Sequence, residues 1–154
     1  MKAAERNLLS YSGIPSDKIE VIKVPIFDSE DYVSTIMAGD KSKPTLVLVH
    51  GFAGSGALFY KVMRGLAEHF YLITFDIIGM GCSSRVKFTS TNYVDANAFM
   101  IRVIEEWREN LKLTDFYLAA HSYGGYLCGL YAAWKPQHIK KLLLLSPLGV
   151  KQRP

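Results

Sequence analysis

The chain has 154 residues, 49% of them hydrophobic and 21% charged, which fits one globular domain with a core and excludes a disordered or fibrous chain. Its net charge of +4 comes from Lys and Arg scattered along the sequence. Without a basic stretch interleaved with aromatics this argues against a nucleic-acid partner, and it leaves either a solvated surface or affinity for anionic headgroups.

Cys82 and Cys128 fit neither a metal-ligand spacing nor a disulfide framework, so they read as buried thiols of a reducing compartment. The first residues, Met1-Lys-Ala-Ala-Glu-Arg-Asn, place charges where a signal peptide needs an apolar stretch. No apolar run approaches the roughly 18 residues of a spanning helix. The expected location is cytoplasmic, with any contact to lipid droplets, endoplasmic reticulum or mitochondria peripheral.

In chain order, residues 1–18 form a polar lead. Ile19–Ile26 and Tyr32–Ala38 are β-rich runs around the turn residues Asp28-Ser-Glu-Asp31, which predicts a hairpin. Thr45–Val49 is continuously apolar, as in a strand buried on both faces near the middle of a sheet. Ser55 is placed to cap a helix reaching about His69, with Leu58, Val62 and Leu66 on its apolar stripe. Tyr71–Phe75 is the next strand. Asn92–Leu111 reads as a long helix with Val94, Ala98, Ile101 and Ile104 on one face. Strand Phe116–Ala120, helix Ser122–Lys135 and strand Lys141–Leu145 complete the order. A hairpin followed by alternating helices and strands implies an α/β fold: a mostly parallel sheet covered by helices, with right-handed crossovers. Residues 19–154 are expected to form one partial domain.

Open parallel sheets gather reactive groups at the carboxyl ends of their strands. Ala120-His-Ser-Tyr-Gly124 lies at such an end, between an apolar strand and a helix. There a serine on a tight strand-to-helix turn lifts its hydroxyl into the cleft, and its neighbours two positions away must be small, as Ala120 and Gly124 are. An isolated match of this kind also suits a helix-capping serine. Gly125, Gly129, Ala132 and Ala133 then offer a small-residue stripe for close packing on the sheet.

A second strand end is His50-Gly-Phe-Ala-Gly54. Beside a nucleophilic serine, the Phe52 and Tyr123 backbone N–H groups would form an oxyanion hole, and otherwise the segment is a plain glycine turn. His50, Gly51 and His121 are the candidate substrate-binding residues, although His50 itself reads better as a structural hydrogen-bonding group than as a base. The third end, Asp76-Ile-Ile-Gly-Met-Gly81-Cys-Ser83, reads as a loop held by Asp76 through backbone hydrogen bonds. Asp76 comes too early in the chain for the acid of this type of site. None of His69, His121 and His138 follows a strand where a general base belongs, and Trp107 and Trp134 read as packing residues. No cluster has metal-ligand spacing, and the glycine turns lack the Lys-Ser/Thr ending of a phosphate loop. Neither a metal nor a cofactor is expected.

With these segments in view, the chain resembles the α/β-hydrolase superfamily, and is most similar to its subfamily of α/β-hydrolase-domain proteins four and five. The resemblance lies in Phe75-Asp-Ile-Ile-Gly-Met-Gly-Cys-Ser-Ser-Arg85, Ile104-Glu-Glu-Trp-Arg108, the Ser122 elbow, Ser146-Pro-Leu-Gly149 and Arg153-Pro154. That group holds a lysophospholipase acting on N-acyl phosphatidylethanolamines and a lipid-droplet coactivator of triglyceride lipase. The coactivator branch has Asn at the nucleophile position, where this chain has Ser122. Lysophosphatidic acid acyltransferase activity in the group is tied to an H-x-x-x-x-D motif. Here the residues five after the four histidines are Ser55, Thr74, Tyr126 and Leu143.

The resemblance implies serine-dependent hydrolysis, or acyl transfer, of a carboxylic ester in a lipid. It also implies a partial sequence that stops before the lid, the last strands and the acid and histidine of the site, so that the 154 residues alone would be inactive. The alternatives are a non-catalytic lipase regulator and a short pseudoenzyme. Labelling of Ser122 by a fluorophosphonate separates these readings.

Overall fold

The computed structural model describes residues 3–89 and 91–149, so the Arg153-Pro154 feature lies outside the described residues. Its six strands are β1 Ile19–Pro25, β2 Tyr32–Ala38, β3 Thr45–Val49, β4 Tyr71–Phe75, β5 Phe116–His121 and β6 Ile139–Leu145. They lie side by side in the order β1-β2-β4-β3-β5-β6. β1 pairs antiparallel with β2, and β2 antiparallel with β4, whereas the β3–β4, β3–β5 and β5–β6 pairs are parallel. The apolar run 45–49 therefore sits between two parallel neighbours, where a strand must be apolar on both faces.

The two faces feed two cores. Val47 and Val49 of β3 point to a core with Ile73, Phe75, Leu118 and Ala120, covered by helices α3 Tyr93–Asn110 and α4 Ser122–Trp134. Leu46 and Leu48, one residue out of phase, point the other way. There they meet Met63 of helix α2 Tyr60–Ala67 and Leu9 of helix α1 Ala3–Ser10. The polar lead thus contains an element: α1 anchors itself through Leu9 and Glu5, both buried.

Two expected apolar stripes are corrected. Leu58 and Val62 are exposed and Met63 is the buried residue of α2. The reason is a 3-10 turn over Gly56–Phe59 ahead of α2, which has 3.0 residues per turn and shifts the facing of everything after it. In α3, Val94 and Ala98 are exposed, and the buried positions are Val103, Ile104, Glu105, Trp107 and Arg108. Trp107 packs on Phe75 at 4.5 Å between ring centres and donates its indole N–H to Thr35 Oγ1 at 2.9 Å. Trp134, by contrast, is half exposed, with the Lys135 ammonium 4.4 Å over its ring.

A buried polar knot joins α3 to α4. Glu105 accepts from Arg108 at 2.9 and 3.1 Å, from the Tyr131 hydroxyl at 2.6 Å and from Lys135 at 2.9 Å. Burial works to raise the Glu105 pKa, but the hydrogen bonds from Arg108, Tyr131 and Lys135 outweigh it and bring it down to about 2. Burial, and then the bond to Glu105, push the Tyr131 phenol up. The knot fixes the helix that follows Ser122 onto the helix beside it.

Candidate active site

Ser122, the first residue of α4, stands at the carboxyl end of β5, beside the carboxyl end of its parallel neighbour β3. Its φ of +52° lies in the left-handed region, which a residue with a Cβ occupies at a cost of order 1–3 kcal/mol. A plain helix cap does not require that strain. The chain makes this bend because the backbone of α4 enters against β3: a Cβ at position 124 would collide with the His50 carbonyl oxygen. Glycine there is a packing necessity. At Gly125 a Cβ would come within 2.9 Å of Pro147 Cβ, whereas Gly129 faces open space. Of the two glycines in the expected small-residue stripe, Gly125 is therefore at a close approach and Gly129 is not.

The turn after β3 lies directly on the serine. A Cβ added to Gly51 would stand 2.9 Å from Ser122 Cβ and 3.4 Å from its Oγ, so position 51 has room only for hydrogen. The next N–H in the chain is that of Phe52. As the second residue of α4, Tyr123 has no acceptor one turn back. Among the described residues no turn, loop or cap bond uses the N–H of either Phe52 or Tyr123. Ser122 Oγ has no hydrogen-bond partner among them either.

His50 is a brace. The Ile77 N–H donates to its Nε2 at 2.9 Å, so the ring proton sits on Nδ1, which donates to the Gly51 carbonyl at 2.7 Å. Desolvation lowers its pKa, against the raising effects of Gly51 and Asp76. With the residue 2% exposed and both ring nitrogens engaged, His50 has no side-chain atom left for substrate. His121 differs: it is exposed, and its Nδ1 lies 3.1 Å from where a Gly51 Cβ would be.

Asp76 has both oxygens occupied. Oδ1 accepts from Gly56 N–H and Oδ2 from Cys82 N–H, each at 2.6 Å, and the Ser83 hydroxyl donates to its carbonyl at 2.6 Å. A Cβ at Gly81 would overlap that carboxylate. Asp76 ties the loops after β3 and β4 together, as its backbone-bonding pattern in the sequence suggests.

Two parts of the site region escaped sequence reasoning. The loop after β6 returns to the elbow, with the Leu148 N–H donating to the Ser122 carbonyl at 2.9 Å, and Ser146-Pro-Leu-Gly149 gave no sign of that contact. Ligand-type atoms of Glu5, Asp76 and Cys82 all lie within 4.8 Å of one another, with Cys82 Sγ 3.4 Å from Glu5 Oε2. Glu5 arrives from α1, so no local spacing could reveal the group. Of the two thiols Cys128 is buried, and Cys82 is partly exposed.

A serine in a strained strand-to-helix turn, faced by a second strand-end turn across a parallel sheet, defines the scaffold of an α/β hydrolase. The family model of the alpha/beta hydrolase fold matches residues 44–153, and the chain belongs to that family. It is 37% identical to a probable 1-acylglycerol-3-phosphate O-acyltransferase of Oryza sativa subsp. japonica, over 96% of this chain and 39% of that protein. It is 36% identical to the (lyso)-N-acylphosphatidylethanolamine lipase of Mus musculus, over 78% of this chain and 35% of the relative. The carboxylesterase CesB from Bacillus subtilis superposes with a TM-score of 0.80 at 24% identity, covering 94% of this chain and 47% of the esterase. This chain thus spans less than half of each of these three proteins. These relatives agree with the resemblance to the four/five subfamily.

Proposed function

We propose that Ser122 is the nucleophile of a carboxylic ester hydrolase or acyltransferase acting on lipids. The observation that carries this reading is the left-handed φ of Ser122 with Gly51 packed on its side chain. Ser122 Oγ attacks the acyl carbonyl and the C–O bond to the leaving alcohol breaks. The acyl group passes to the serine, then to water or a second alcohol. The N–H groups of Phe52 and Tyr123 hold the oxyanion that forms on the way, each donor being worth about 3 kcal/mol in the transition state.

The serine proton needs a base with a supporting acid; among the described residues no histidine is hydrogen-bonded to Ser122 Oγ, and this chain spans 39% and 35% of the rice and mouse relatives. Lipid as substrate follows the names of the rice and mouse relatives. Ser122, rather than Asn, is what weighs against a purely regulatory role. No described helix is long and apolar enough to cross a membrane, and peripheral contact with a lipid surface is the proposed mode of access. Fluorophosphonate labelling of the full-length protein tests the reading. Labelling that disappears in Ser122→Ala supports it; absence of labelling in the wild type favours the regulator.

A further inference from the structure

Beside Ser122 runs a row of three aromatic rings that the reaction itself does not use. Phe52 meets Tyr123 edge to face at 6.5 Å between ring centres, and Tyr123 stacks on Tyr126 at 6.3 Å and 18°. The near end is fixed by the Gly51 contact with the serine. At the far end the Asn97 side chain of α3 donates to the Tyr126 hydroxyl at 2.7 Å. A Cβ at Gly149 would come within 3.0 Å of the Tyr126 ring, so the loop after β6 holds that ring from another side.

These rings are not equivalent to core packing. Tyr123 and Tyr126 lean partly on the α3–α4 core, but Phe52 is 77% exposed and its ring touches only Tyr123 among the described aromatic pairs. Burial therefore does not hold Phe52 in place. The row contains no cationic side chain, and the Tyr126 hydroxyl at its end is already engaged by Asn97. The ring faces themselves offer no charged partner to an anionic headgroup, whereas they offer an aliphatic chain apolar surface that begins at the two residues flanking the Ser122 turn, Phe52 and Tyr123.

We propose that Phe52, Tyr123 and Tyr126 form the wall along which the ester's acyl chain lies, and that Asn97 is a positioning residue that sets the Tyr126 ring. This rests on Ser122 being the attacking group. Each methylene laid on such a wall strengthens binding by at most roughly fourfold. The wall selects long aliphatic acyl chains over short ones through accumulated area, with no polar contact to the chain.

The test is titration calorimetry of the full-length protein with butyrate, octanoate and dodecanoate below their micellar concentrations. In the wild type and in Ser122→Ala, affinity is expected to rise steeply with chain length. In Phe52→Ala and Tyr126→Ala the rise flattens, with dodecanoate losing at least tenfold and butyrate less than twofold. Tyr126→Phe and Asn97→Ala, which each keep the aromatic ring but delete the hydroxyl–amide bond that positions it, lose an intermediate and equal amount. Phe52 is on the surface, so its variant reports even where Tyr126→Ala fails to fold. An unchanged rise in the Phe52 and Asn97 variants overturns the proposal. So does a rise abolished instead by Val62→Ser, which lies in the apolar groove of about 580 Å³ lined by Leu46, Phe59, Leu142 and Leu143. A failure of fluorophosphonate labelling with the chain-length dependence intact removes the nucleophile reading and leaves the wall as a lipid-binding surface.

Discussion

The backbone N–H of Leu148 donates to the carbonyl of Ser122 at 2.9 Å, so the segment after β6 secures a residue held in the left-handed region. Ser146, just before it, is itself at a φ of +44°. The loop that bonds the Ser122 carbonyl thus carries a left-handed residue of its own, and strain of this kind tends to concentrate at functional turns.

Gly124→Ala tests how tightly the elbow is seated. The new methyl would overlap the His50 carbonyl, and neither strand β3 nor the start of α4 is free to yield. Overpacking of this kind costs about 1–3 kcal/mol. Urea denaturation should show a midpoint lowered accordingly, whereas Gly129→Ala, which faces open space, should be neutral or slightly stabilising because alanine favours a helix by roughly 1 kcal/mol.

Asp76→Asn separates a loop anchor from a catalytic acid. The two backbone N–H groups of Gly56 and Cys82 that converge on the carboxylate would then meet an amide with a single oxygen, leaving one donor facing another. Loss of about 1–3 kcal/mol is expected, the usual penalty for a buried donor without an acceptor. A variant of wild-type stability that loses only turnover in the full-length protein would instead make Asp76 a participant in the chemistry.

How much of this the sequence disclosed depends on what each residue buries. Thr45–Val49, Tyr71–Phe75 and Phe116–Ala120 were legible because strands covered on both faces are almost continuously apolar. The Ser122 turn was legible because sterics restrict positions 120 and 124 to small residues. The buried face of α3 was not, since Glu105 and Arg108 occupy it as a bonded pair, and a search for apolar periodicity passes over charges. The stripe of α2 was lost to the 3-10 turn before it. That His50 is fully braced was only hinted at, because its partners Ile77 and Gly51 act through backbone atoms that leave no mark in the sequence.

Acid titration should find the Glu105 knot. The carboxylate has a folded-state pKa of about 2 against an ordinary value of 4.5. Its contribution is therefore complete above pH about 4.5 and is lost as the pH falls toward about 2. Stability measured by denaturant across that window should fall more steeply in the wild type than in Glu105→Gln. Equal slopes would mean that the charge is compensated equally well by water in the unfolded chain.

Ser122→Gly isolates the strain from the chemistry. Glycine occupies a φ of +52° without a Cβ clash, so removing the side chain should stabilise the fold by about 1 kcal/mol, the left-handed penalty that serine carries. Ser122→Ala keeps a Cβ at the same dihedral and should gain nothing. Both variants would lose fluorophosphonate labelling in the full-length protein, so stability and reactivity would move independently. If glycine and alanine proved equally stable, the bend at Ser122 would be relaxed in solution, and the serine would be an ordinary helix cap with its hydroxyl turned away from Phe52 and Tyr123.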